Sequence, residues 1–485
     1  MILSMTPLLN KHSDTPIYDQ LYRYIRENIE NGKLPSGGKL PAIRPLAQHL
    51  NVSKNTVEAA YGQLLAEGYV ESRERGGYVI QPIEQLWNLT GRDIPESMRH
   101  SFSSIQPSSE ADRLEHHIPL PYEFRYGDIA FDRFPQEVWK SCLTQAISDA
   151  VETAPYGILG YGDRLGHIGL REELAHYVYQ ARGAAVDANQ IFVCAGTQYA
   201  VSLLVQLLRL REGVFAMEEP GYHGVKTVLR GMDCRVAPIP VESDGIDVSA
   251  LGRTDASIVY VTPSHQFPLG MVMSVEKRLR LLKWASANDA LILEDDYDSE
   301  FRYGSRPVPS LKALDTDDRV IYMGTLSKAF LPGARLSYVI MPRRLVPLMK
   351  ERLANYSGSV SPMIQQAVWL FMKQGHYGRH IRRMRRIYQA RYRALTESIA
   401  EIMGNRAEIV GDKSGMHILL RVAGRESSEL IRLAESAGCM IFSAAKHWDE
   451  SNTDALEFVI LGFGGMDEAA LREGVRRLGE AWFPA

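Results

Sequence analysis

The sequence predicts two folded parts of different class, an α+β winged helix-turn-helix at the N-terminus and an α/β domain with a mostly parallel central sheet. Three observations lead there. Up to residue 82, apolar residues recur at helical spacing and give way to two short strand-like runs. From 83 to 118 the chain mixes Ser, Pro, Glu and Arg with few apolar anchors, the texture of a flexible linker. Beyond 119, short apolar runs such as QIFVCAG, SIVYVTP, ALILEDD and RVIYMGT alternate with longer helical stretches, which implies βαβ units and a sheet covered on both faces. The expected boundaries are therefore 14–82, 83–118 and 119–485.

Composition narrows the class. At 485 residues and 45% hydrophobic content the chain is long enough for at least two cores. A formal net charge of -3 excludes a generally basic nucleic-acid coat, so any DNA contact must be local. Cys142, Cys194, Cys234 and Cys439 lie far apart without CxxC spacing, as in a reducing cytosol. The first residues lack a basic stretch ahead of an apolar one, and no apolar run approaches the roughly 20 residues that span a bilayer. A cytoplasmic protein with no membrane partner is expected.

In the first part, Ile17, Leu21, Ile25 and Ile29 form one apolar helical face that ends at Asn31-Gly32. A second helix carries Leu46, Ala47 and Leu50. After Asn51-Val52, Ser53 is placed as the N-cap of a third helix closing at Gly68. The second helix of such a pair offers its N-terminal residues to the major groove, here Ser53, Lys54, Asn55 and Thr56. The strands YVES and GYVI flank a hairpin whose Arg73 and Arg75 can reach phosphates or the adjacent minor groove.

The stretch KLPAIRPLAQHLNVSKNTVEAAYGQLLAEGYVESRERGGYVI resembles the DNA-binding domain of GntR-type regulators over its whole length. The resemblance implies Arg44, Ser53, Lys54, Thr56 and the wing around Gly77 as contacts to double-stranded DNA. The family usually has a small polar residue where Ala42-Ile43 stand and often Arg where Lys54 stands, so the operator sequence does not follow.

The second part carries the residue types an aldehyde cofactor needs: a lysine for a Schiff base, an acid for a pyridine nitrogen, an aromatic ring for its face and donors for a phosphate. Lys328 follows a strand in MGTLSKAFLPGARLSY, with hydroxyls at Thr325 and Ser327 and a cation at Arg335. Asp295 ends the strand ALILED, with Tyr297 two residues on, placed to hydrogen-bond a phenolic oxygen. Gly196, Thr197 and Gln198 sit at a strand-to-helix turn, where free amides and the helix dipole make an anion cradle. Tyr222 follows a Pro-Gly turn, and His265 or Gln266 in TPSHQFPLG is placed to reach a ring oxygen.

Taken in this order, these segments resemble the fold-type I aminotransferases from about residue 120 to the end. Together with the reader and the linker they resemble the MocR group of regulators, EEPGY, TPSHQFP, EDDYDSEF and YMGTLSK being close to its GabR-type members. The resemblance implies pyridoxal 5'-phosphate on Lys328, Asp295 at the pyridine nitrogen, Tyr222 stacked on the ring, and Gly196, Thr197, Gln198, Thr325, Ser327 and Arg335 around the phosphate. It also implies a smaller C-terminal α+β subdomain and a head-to-tail homodimer in which Tyr161 reaches the partner's phosphate.

The chain departs from its relatives where a substrate carboxylate is usually held. Ile460 stands where aminotransferases of this fold tend to have arginine in a motif like RLGF. The GABA-responsive regulator has arginines where this chain has Gly224 and Lys446, so GABA is disfavoured and Lys446 is left as the candidate effector cation. Arg379, Arg382, Arg383 and Arg386 cluster at helical spacing as a candidate second DNA-facing surface, while His376 and His380 read as structural. The expected function is a regulator that senses an amino compound, or the cofactor itself, through Schiff-base chemistry at Lys328. The alternative is a working aminotransferase acting on an amino acid. The residues near 296 show no histidine to complete a metal site.

Overall fold

The computed structural model describes residues 9–10, 13, 15–73, 77–81, 119–152, 160–303, 308–411, 414–449 and 452–484. Arg75 and the expected linker 83–118 lie outside them. Contacts divide the chain into two compact units, Met1–His117 and Ile118–Ala485.

In the first unit the helix Ile17–Glu30 buries Leu21, Ile25 and Ile29 of the predicted face, one per turn, together with Tyr22 beside it. The helices Ile43–Leu50 and Lys54–Ala66 meet at Asn51, whose φ of 50° makes the tight turn between them. Ser53 caps the third helix by accepting from Thr56 N at 3.1 Å. Leu21, Ile25, Leu46, Val57 and Leu64 are fully buried, each contributing about 1.5–3 kcal/mol by removal from water. Tyr61 is also buried and satisfies its hydroxyl on Pro41 O at 2.9 Å. The strands Val70–Arg73 and Gly77–Ile80 pair antiparallel as the wing.

The second unit is built on an eight-stranded sheet in the order Ile191–Cys194, Ser337–Ile340, Val320–Thr325, Leu291–Asp296, Ile258–Val261, Val214–Glu219, Arg235–Glu242, Gly245–Ile246. Ser337–Ile340 runs antiparallel to both neighbours and Gly245–Ile246 antiparallel to its one neighbour, while the remaining pairings are parallel. Central strands such as Val320–Thr325 are buried along their whole length, as a sheet covered on both faces requires. A second, antiparallel sheet of Glu408–Val410, His417–Arg421, Phe458–Gly462 and Phe442–Ser443 packs with the helices Ser427–Ser436 and Glu468–Trp482 as the C-terminal α+β subdomain. Among the described residues no helix is long and apolar enough to cross a membrane.

Candidate functional site

Parallel strands aim their carboxyl ends at one edge of the sheet, and a cavity of about 180 Å³ opens there. Gly196, Thr197, Gln198, Tyr222, Asp295, Tyr297, Thr325, Ser327, Lys328 and Arg335 all line it. Ten residues spread over more than a hundred positions are thus brought to one place by the strand order.

Asp295 is the penultimate residue of the strand Leu291–Asp296 and is 3% exposed. Its Oδ2 accepts a 2.6 Å hydrogen bond from Tyr260, while Oδ1 is buried with no partner. Burial pushes its pKa up to about 7, with the Tyr260 bond and the neighbouring Asp296 and Asp298 acting after it. A buried carboxylate oxygen without a donor is costly and marks a place for one. Lys328 emerges just past the strand Val320–Thr325, its Nζ 3.9 Å from the centre of the Tyr126 ring. Burial lowers its pKa to about 8, so a sizeable neutral fraction exists near neutral pH. Gly127, whose φ of 101° favours glycine, lies against that nitrogen; a Cβ there would stand 2.7 Å from it.

At the opposite end of the cavity Gly196, with φ of 95°, turns the chain into the helix Thr197–Leu208, whose first amides have no side-chain cap. Arg335, itself left-handed with φ of 48°, lays its guanidinium against this turn; a Cβ on Gly196 would come 2.5 Å from its Nη2. Helix amides plus a guanidinium form a built anion site. Thr325 is mostly engaged internally, accepting from Ser327 N at 3.1 Å and from Ser337 Oγ at 2.9 Å, so it shapes the turn as well as lining the cavity.

Three expected residues are not on the cavity wall. Gln266 is turned into the loop, its Nε2 donating to Pro220 O and Phe267 O at 2.8 Å, because a buried amide must satisfy both of its ends. His265 is withdrawn behind Tyr297, its Nδ1 3.0 Å from both oxygens of Asp298. Lys446 stands exposed on the turn Ala445–His447. Its neighbour His447 points inward instead, facing the Phe267 ring at 4.7 Å and accepting from His223 N at 3.3 Å. Burial takes His447 down to about 3, so it is neutral and supplies no cation.

Four lining residues were not foreseen: Tyr126, Tyr260, Thr262 and Phe267. Tyr260 and Thr262 had a signal, since a polar group in the apolar strand Ile258–Val261 and another just past its end must find partners. Tyr126 and Phe267 had none; they arrive through loops. Ligand-type atoms of His265, Asp298 and His417 lie within 4.8 Å of one another, and His265 Nδ1 is 3.0 Å from both Asp298 oxygens.

On the N-terminal unit, Arg44, Ser53, Lys54, Asn55, Arg73 and Gly77 are exposed and Thr56 half-buried. Thr56 hydroxyl is tied to Ser53 Oγ at 2.8 Å, Lys54 to Glu58 at 3.0 Å and Arg73 to Glu71 at 3.4 Å. Arg379, Arg382, Arg383 and Arg386 line a surface depression of about 530 Å³ with Arg133. His376 bonds Gln374, and His380 is buried against Phe330, its pKa lowered to about 4 chiefly by burial.

Two family models match the chain: bacterial regulatory proteins of the gntR family over residues 17–80, and aminotransferase class I and II over 133–448. The chain is 36% identical to the HTH-type transcriptional regulator YdeL of Bacillus subtilis, covering 99% of this chain and 100% of that one. It is 32% identical to the probable rhizopine catabolism regulatory protein MocR of Rhizobium meliloti, covering 98% and 95%. Among solved structures, kynurenine aminotransferase of Pyrococcus horikoshii shares the fold with a TM-score of 0.69 at 24% identity, covering 80% and 98%. The multiple substrate aminotransferase of Thermococcus profundus gives a TM-score of 0.68 at 26%, covering 78% and 95%.

Proposed function

The chain belongs to the MocR-type transcriptional regulators, which join a GntR-type DNA-binding domain to a class I and II aminotransferase domain, and from that premise we propose that it regulates transcription in the cytoplasm in response to an amino compound or to pyridoxal phosphate itself. The observation that carries the reading is the pairing of a half-buried lysine with a buried carboxylate one of whose oxygens lacks a donor, in one cavity of a chain that also carries a DNA reader.

The residues fit pyridoxal 5'-phosphate. The free Oδ1 of Asp295 suits a protonated pyridine nitrogen, Lys328 suits the aldehyde, and the turn at Gly196 with Thr197, Gln198, Ser327 and Arg335 suits the phosphate. Tyr222 supplies a ring at the wall and Tyr297 a hydroxyl. When bound, the cofactor supplies an aldehyde that captures amines and a ring that withdraws electrons. The protein's own part is to keep the Lys328 amine partly neutral by burial, to hold a proton at the ring nitrogen through Asp295, and to exclude water with Tyr126, Tyr222 and Phe267.

Tyr161 is 90% exposed, available to a second copy of the chain arranged head to tail. Gly224 leaves no room for a longer side chain, since a Cβ there would stand 2.7 Å from the Tyr222 ring, and Ile460 is buried in an apolar cluster with Phe267 and Tyr297. The absence of a cation at Gly224 disfavours GABA as effector. An effector shifts DNA binding only by preferring one of two states, so its capture must be coupled to the reader's arrangement. Arg44, Ser53, Lys54, Asn55, Thr56 and Arg73 are the residues we assign to DNA, with the wing at Gly77. Borohydride reduction of the cofactor-loaded full chain followed by peptide mapping tests the assignment: the added mass is expected on Lys328, and its appearance on another lysine, or nowhere, overturns it.

A further inference from the structure

Amine capture leaves a charge to be housed inside the protein. An amine arrives as an ammonium and takes over the carbon–nitrogen double bond held by Lys328; that bond breaks on the lysine side, and the proton the amine brought passes to the lysine nitrogen. One ammonium enters, and another, that of Lys328, is left at the cavity wall. Burial opposes that charge, as the lowering of the Lys328 pKa to about 8 shows. Among the described residues no hydrogen bond or ion pair reaches Lys328 Nζ; its contact is the face of Tyr126, 3.9 Å from the ring centre. Asp295, the acid on the cavity wall, is committed to Tyr260 and to the open Oδ1 position.

We infer that the Tyr126 ring is the seat of the Lys328 ammonium, holding the lysine while a captured amine occupies its place on the cofactor. A cation over an aromatic face is attracted by the ring quadrupole, most strongly where water is excluded. The seat is fixed from behind: the Phe267 ring lies 5.1 Å from Tyr126, and the His417 ring meets it edge to face at 4.9 Å. His417 is neutral, burial holding it well below its usual range, so it adds no repelling charge. The backbone leading to the ring is tied to the second sheet, where Gly462 N donates to Phe124 O at 3.0 Å and a Cβ on Gly462 would stand 2.3 Å from Arg125 O. In front, Gly127 leaves the nitrogen its space, since a Cβ there would stand 2.7 Å from it. Lys328 therefore exchanges between two fixed partners, the cofactor and this ring.

The inference rests on Lys328 carrying the cofactor, and the two fail differently. Methylamine is the probe, and the mass of the cofactor-loaded full chain after borohydride is the readout: cofactor still on Lys328 is fixed to the protein, whereas exchanged cofactor leaves with the methylamine. Position 126 is varied among phenylalanine and its mono-, di- and trifluorinated forms, which keep the ring outline and progressively drain its π density. Tyr126→Phe should keep the methylamine concentration for half-exchange within about twofold of the parent, and the trifluorinated ring should raise it about tenfold. Binding of cofactor to the apo-protein consumes the same seated ammonium, so its Kd should fall along the series, whereas a ring that merely builds the wall would weaken both. If the fluorinated forms do not fold, Tyr126→Leu compared with Tyr126→Phe decides, and the rise of about tenfold is expected in Tyr126→Leu. Half-exchange concentrations that stay level along the series or in Tyr126→Leu, or a cofactor Kd that rises in step along the fluorinated series, overturn the inference. Loaded parent protein that gains no mass at Lys328 in the absence of methylamine instead overturns the assignment of Lys328.

Discussion

The hydroxyl of Tyr260 donates a 2.6 Å hydrogen bond to one oxygen of Asp295 and leaves the other oxygen buried without a donor. The site is thus half-satisfied as it stands, and the missing half has the character of a protonated ring nitrogen. Replacing Asp295 by Asn removes the charge that holds that proton. Cofactor affinity is expected to fall by about 10–100-fold, since hydrogen bonds to charged groups are worth about 1.5–3 kcal/mol. Equilibrium titration of apo-protein with cofactor checks this, and Tyr260→Phe is expected to weaken binding less than Asp295→Asn.

Stability should depend on pH through the same residue. The folded-state pKa of Asp295 is raised to about 7 from an ordinary 3.8. A raised acid contributes stability that is fully present below the unfolded value and is lost as pH rises through the folded one. Cofactor-free protein should therefore lose stability between about pH 4 and 7 on account of Asp295, and the cofactor should restore it. Thermal melts are expected to show a larger cofactor-induced rise in Tm at pH 8 than at pH 5; in Asp295→Asn protein the two rises should be equal.

Gly196→Ala combines two faults, a positive φ that Ala adopts poorly and a methyl 2.5 Å from the Arg335 guanidinium. Arg335 must move, so cofactor phosphate binding should suffer more than folding. The expected outcome is at least tenfold weaker binding of cofactor with a Tm of apo-protein lowered by only a few degrees.

Much of this architecture was legible in the sequence. The helical face of Ile17, Leu21, Ile25 and Ile29, the cap at Ser53 and the strand that carries Asp295 at its end, one residue longer than expected, follow from period and local hydrogen bonding, which are properties of neighbouring residues. Lys446, expected as an effector cation, stands exposed on the short turn Ala445–His447 while His447 faces inward, because sequence period does not fix orientation in so short a segment. His265 and Gln266 were expected at the cofactor because their loop follows a strand end, yet buried amide and imidazole groups bind first to whatever partners are nearest, here Pro220, Phe267 and Asp298. Tyr126 reaches Lys328 across the domain, a contact that no local pattern encodes.

The outward placement of Lys446 is itself testable. Lys446→Ala should leave the effector concentration for half-maximal response within about twofold, since the side chain is on the surface and off the cavity wall. A tenfold loss would return Lys446 to the site.

On the reader, Arg44 is exposed in the first turn of the helix Ile43–Leu50. If it contacts phosphate, Arg44→Ala should weaken binding to all duplexes alike and reduce the salt slope by about one. Ser53→Ala should cost about 1 kcal/mol of stability through the lost cap at Thr56, measured by chemical denaturation of the full chain.

The central claim is that one chain couples amine capture at Lys328 to its grip on DNA. Fluorescence anisotropy of a duplex enriched from a random library, titrated with cofactor-loaded protein in the presence and absence of a panel of amines, measures that coupling directly. The account predicts binding at least a thousandfold tighter than to random duplex, altered several-fold by at least one amine, with the amine response abolished in Lys328→Ala. No duplex preferred over random sequence, or an amine response that survives loss of Lys328, would contradict it.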